Sequence, residues 1–172
     1  MRLSLVFLCL LITLSSKDAE AKRGGFPSVS GTAWVMDVDA VYKDYLGKSR
    51  GRYVSIIEFD GMSAQSSAGF YTEWVDDEIV TEGVWFQRGK KISVSVDQFW
   101  FEYVESRWSD DYFVDTGGAL GAAEIAKWSV QFRLDRRGFL KYKEQISGKL
   151  YTTRGRFKMK EKYKGVAVQL TQ

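Results

Sequence analysis

The sequence predicts an all-β fold: a single antiparallel, up-and-down meander of about eight to nine strands that closes into a barrel. Three observations predict it. Apolar and polar residues alternate along most of the chain beyond Pro27, with the period of two that separates the faces of a strand. The spacers between the alternating runs are a few residues long, which joins antiparallel neighbours and leaves no room for crossover helices. One run also changes phase midway, as a strand does where a bulge lets it curl.

Taken in order, Trp34, Met36, Val38, Ala40 and Tyr42 share one face of a first strand, opposite Asp37 and Asp39. Tyr53–Phe59 and Phe70–Val75 are short β-branched and aromatic runs, and Ile79–Gln87 follows the Asp76-Asp77 turn. After Arg88-Gly89-Lys90, the inward set Ile92, Val94, Val96 shifts to Phe99, Phe101, Tyr103, which predicts a bulged strand over 92–103 with its bend near Asp97-Gln98. Ser109–Ala123 is too long for a turn; it is expected to be a lid-like loop, with a short helix over Ala119–Ala126. Trp128, Val130, Phe132 and Leu134 then alternate with Lys127, Ser129, Gln131 and Arg133. Phe139–Ile146, Leu150–Met159 and Val166–Leu170 complete the set, separated by expected turns at Ser147-Gly148 and Lys160–Gly165.

The N-terminus reads as a leader. Arg2 precedes an apolar run from Leu3 to Leu14, and Ala19-Glu20-Ala21 offers small residues at the positions a signal peptidase inspects. The run is shorter than the roughly 20 residues needed to span a bilayer. The expected organisation is a signal peptide over 1–21, a flexible segment over 22–29 beginning at Lys22, and a barrel domain over 30–172. The only cysteine, Cys9, lies in the apolar run, so the mature chain would have neither disulfides nor thiol chemistry. A secreted or periplasmic protein held together by its core alone is the expectation, with no transmembrane segment in the mature chain.

Composition removes many catalytic classes. With no His, the chain has no imidazole for a Ser-His-Asp or Cys-His nucleophile or for a His-ligated metal. Asp76-Asp77-Glu78 and Asp110-Asp111 are the acid clusters, but adjacent acids in a turn point apart, and a carboxylate-dependent hydrolase needs two facing each other across a cleft. Asp110, Asp111 and Asp115 lack the spacing of a calcium loop, and Gly117-Gly118-Ala119-Leu120-Gly121 lacks the Lys-Ser/Thr of a phosphate loop. No catalytic residue, metal site or cofactor is therefore expected.

Two constellations remain. Aromatic residues make up 15% of the chain, more than a small barrel needs to fill itself, so some are expected to line a pocket; Trp34, Trp85, Trp128 and Phe132 are the candidates. Charge is also divided along the chain. Residues 124–172 hold 13 Lys and Arg against four Asp and Glu, whereas residues 22–123 hold ten against 16. Arg154, Arg156, Lys158 and Lys160, extended by Lys162 and Lys164, form an outward basic stripe. Such a stripe protects an edge strand or docks on an anionic envelope component or acidic protein; nucleic acid suits an exported chain less well.

Tryptophan near strand starts in an exported meander carries a resemblance. Gly31-Thr32-Ala33-Trp34 and Gly83-Val84-Trp85, with Arg154 or Arg156 in a late strand, resemble the lipocalin-like (calycin-type) barrels, whose Gly-x-Trp closes one barrel end beneath a basic residue. The first of these is one residue longer than that motif. The resemblance implies an interior cavity for a small apolar or amphipathic ligand. The functional expectation is an exported binding protein without catalysis, with docking through the basic C-terminal face as the first alternative and a carboxylate-dependent hydrolase as the second.

Overall fold

The computed structural model describes residues 25–170; the expected leader over 1–21, Cys9 and Lys22 lie outside the described residues. Eight antiparallel strands run β1 (Thr32–Lys43), β2 (Lys48–Asp60), β3 (Ala68–Val75), β4 (Glu78–Arg88), β5 (Lys91–Ser95), β6 (Gly121–Leu134), β7 (Leu140–Thr152) and β8 (Gly155–Gln169). Each pairs with the next, and β8 pairs with β1, so the sheet is a closed barrel. A helix, α1 (Gln98–Asp115), lies between β5 and β6.

The register defines two ends. At one, Trp34 of β1 pairs with Gln169, and Leu134 and Leu140 flank a turn; at the other, Lys43 pairs with both Lys48 and Lys160. The first end is filled. Phe59, Tyr71, Trp85, Phe132 and Tyr142 form a continuous aromatic core, with ring centroids 5.5 Å apart for Phe59–Phe132, 5.9 Å for Phe59–Trp85 and 5.0 Å for the stacked Phe132–Tyr142 pair. Val29 is buried against this core, and its N–H donates to Gln87 Oε1 at 2.9 Å, tying the lead-in to β4.

Helix α1 closes the second end. Asp97 caps it, its side chain accepting from the Trp100 N–H, and Val104, Trp108 and Tyr112 turn one buried stripe inward. β5 pairs with β6 only at Lys91–Arg133 and Ile92–Phe132, which leaves most of that edge of β6 without a strand partner. α1 side chains take β5's place: Glu105 Oε1 accepts from the Ile125 N–H at 2.7 Å, and Ser109 Oγ from the Ala123 N–H at 3.2 Å.

Four expectations change. The run Phe99–Tyr103 is helical and not the continuation of a bulged strand, because the Asp97 cap starts a helix that buries its stripe across the barrel mouth. Ser109–Ala123 is not a free loop: residues to Asp115 finish α1, and Gly121–Ala126, expected in a short helix, open β6. Ser147-Gly148 and Lys160–Gly165 are not turns but interior parts of β7 and β8. Their glycines mark close approach: a Cβ on Gly148 would lie 2.1 Å from the Glu124 carbonyl oxygen and 2.9 Å from the Trp108 ring. Finally, Leu150–Met159 is not one strand, since the chain reverses at Thr153-Arg154 between the paired Thr152 and Gly155. Hence the described residues form eight strands and not nine.

Candidate functional site

Alternation along β3, β7 and β8 places three glutamates where a barrel of this size would ordinarily hold hydrophobes. Glu73 falls between inward Tyr71 and Val75, Glu144 between Tyr142 and Ile146, and Glu161 between Met159 and Tyr163. Glu73 and Glu161 are only 4% and 6% exposed. Acids this deep are costly unless each oxygen is hydrogen-bonded or paired with a cation.

Glu161 meets both conditions. Arg107 Nη2 lies 2.8 Å from each of its oxygens, Trp108 Nε1 donates to Oε1 at 2.6 Å, and the Tyr163 hydroxyl donates to Oε2. Burial disfavours the Arg107 charge, but Glu161 outweighs it and holds the guanidinium firmly protonated. Trp108 and Arg107 are adjacent in α1, so this ion pair also fixes the helix on the barrel.

Glu144 and Glu73 have neutral partners alone. Trp128 Nε1 donates to Glu144 Oε1 at 2.5 Å, and the Tyr142 hydroxyl donates to Oε2. Tyr71 donates to Glu73 Oε2 at 3.1 Å, while Glu73 Oε1 has no hydrogen-bond partner. Burial, and then the charge of Glu144, push the Glu73 carboxyl up to about 7. Burial likewise raises Glu144, and raises the Tyr53, Tyr71, Tyr142 and Tyr163 phenols, which stay protonated.

Glu73 and Glu144 face a cavity of about 190 Å³ between α1 and the barrel wall. Its other walls include Tyr42 and Tyr53 from β1 and β2, Thr81 from β4, Trp100 and Arg107 from α1, and Tyr163 from β8. It can therefore offer a ligand aromatic faces, hydroxyls and two carboxylates. Among the described residues no group of three or more His, Cys, Asp or Glu is arranged to hold a metal ion.

The residues singled out in the sequence divide around this site. Trp34, Trp85 and Phe132 are buried in the filled end, away from the cavity, and Trp34 Nε1 donates to Thr32 Oγ1 at 2.8 Å. Trp128 stands beside it, packed on the cavity-lining Trp100 with centroids 5.1 Å apart. Arg154 and Arg156 lie at the barrel end opposite Trp34, so neither covers that ring as the family resemblance implied. Arg154 occupies the hairpin tip, off the strand face; Arg156, Lys158, Lys160, Lys162 and Lys164 hold outward positions of β8. The turn acids Asp76, Asp77 and Glu78 do not line the cavity.

What sequence reasoning missed is the glutamate set, and the signal was available. A charged residue in phase with the apolar face of an alternating strand is visible at all three positions; acids adjacent along the chain are the weaker clue. Comparison of the chain with family models, with curated proteins and with solved structures finds no match.

Proposed function

We propose that the protein is an exported, non-catalytic binding protein that holds one small amphipathic molecule in the mouth of its barrel, beneath α1. The observation that carries this reading is the cavity itself: one end of the barrel is packed solid with rings, while the other keeps a space lined by rings and carboxylates. A cavity of about 150 Å³ suffices for benzene, so the space here suits a single ring with a short polar arm. The leader-like N-terminal sequence supports export.

Trp100 lines the cavity and reports occupancy. Titration with single-ring amphiphiles should change tryptophan emission saturably with a stoichiometry near one, and Trp100→Phe should remove most of the change. Absence of saturable binding across neutral, cationic and anionic members overturns the reading.

A second reading, docking on a polyanion, is favoured by the outer face. Lysines stand directly opposite one another at Lys143–Lys164, Lys149–Lys158 and Lys43–Lys160. Like charges so placed destabilise a sheet. A face that tolerates three such pairs suits an anionic surface, and salt-dependent co-sedimentation with anionic vesicles tests it.

A further inference from the structure

We infer that the mouth cavity takes a small organic cation: an ammonium group carried on one ring or a short chain, its charge between Glu73 and Glu144 and its body against Tyr42, Tyr53 and Trp100. The inference deepens the binding reading and rests on it.

Arg107 is the only cation among the cavity walls, and that guanidinium is already engaged with both oxygens of Glu161. Glu73 and Glu144 are thus left with hydrogen bonds from neutral hydroxyl and indole groups and, among the described residues, with no positive partner. A second observation is independent of that count. Glu73 lines the cavity, and its buried Oε1 accepts no hydrogen bond, an acceptor that an N–H of a bound ammonium would satisfy.

The remaining walls choose among cations. Rings present negative faces that attract an ammonium and give an apolar body its contact area. A metal ion would want more converging oxygens than the described residues supply. An anionic ligand would meet two carboxylates, and a neutral one would leave both without a counter-charge.

The test compares three ligands of one shape on the full chain by calorimetry: 2-phenylethylammonium, 2-phenylethanol and phenylacetate, at about pH 8, where the ammonium is charged. The ammonium should bind about tenfold more tightly than the alcohol, and phenylacetate should not bind measurably. Glu73→Gln and Glu144→Gln should each lower ammonium affinity on the order of tenfold while changing that of the alcohol much less. Circular dichroism checks that each variant folds, and the three-ligand comparison on the wild type stands without either. Equal affinity for ammonium and alcohol overturns the cation inference and leaves the binding reading standing. Binding of none of the three overturns the cation inference as well, and a silent response of Trp100 to the wider panel of amphiphiles then takes the binding reading with it.

Discussion

Glu73 couples the site to the stability of the fold. Its carboxyl ordinarily titrates near 4.5, and in the barrel it is pushed up to about 7 by burial and by Glu144. The folded state therefore holds a proton that the unfolded chain has released, and stability must fall as pH rises from about 4.5 to about 7, then level off. The whole effect is on the order of 3 kcal/mol. Glu144 is raised for the same first reason and acts in the same direction, whereas Asp37, held low by its hydrogen bond to Arg52, titrates below that window. Urea unfolding of Glu73→Gln should show a flatter profile between pH 5 and 7 than the wild type. A wild type whose stability rises across that interval contradicts the assignment. On the binding reading proposed above, an ammonium bound to the ionised pair would offset the loss at neutral pH. These residues were legible one at a time, since Glu73, Glu144 and Glu161 each interrupt the apolar phase of a strand. Their convergence was not, because it depends on a register spanning three strands.

Helix α1 shows what periodicity leaves ambiguous at the scale of an element. Phe99, Phe101 and Tyr103 alternate as a strand would, but Phe101, Val104, Trp108 and Tyr112 also recur at the three- and four-residue steps of a helix. The deciding signals lie at its ends. Asp97 is an N-cap residue, and Thr116-Gly117-Gly118 stops the helix, with both glycines at positive φ. The eight strands were better marked, because their turns are short and their alternation long. Even so, Gly148 and Gly165 read as turns when they are places where neighbouring backbone or side chains leave no space for a Cβ. If the cap positions α1 over the mouth, Asp97→Ala should cost about 1 kcal/mol in denaturant unfolding. Hydrogen exchange should also quicken in the first turns of α1, while the amides of β7 and β8 keep their protection. Uniform loss of protection would mean that α1 is part of the global unit and does not open by itself.

For the whole molecule, the charge division along the chain becomes a division around the barrel. β7 and β8 are consecutive and paired along their full lengths, so the cations of the C-terminal third gather on one outer wall: Lys141, Lys143 and Lys149 beside Arg156, Lys158, Lys162 and Lys164. Asp39 faces Lys164 from β1, but among the described residues the salt bridges are those of Arg52 with Asp37, Arg107 with Glu161 and Lys141 with Asp135, and none engages a β8 lysine. Because β8 is paired with β7 on one side and with β1 on the other, it is not an edge strand, and its lysines have no edge of their own to protect. A solubility role would not require cations to face one another across strands, and an anionic surface would relieve that repulsion. Each exposed cation contributes roughly 1 kcal/mol near an anionic membrane, screened by salt within a Debye length. The chain should therefore co-sediment with vesicles containing phosphatidylserine at low ionic strength, and release as salt rises. Combined Arg156→Glu, Lys158→Glu and Lys162→Glu should abolish binding while leaving the mouth cavity and its ligand affinity intact, because those side chains point away from it. Arg154→Glu, at the hairpin tip, should weaken binding less than any one of the three. Wild type that stays in the supernatant, or a triple variant that still sediments, reduces the wall to a solvated surface.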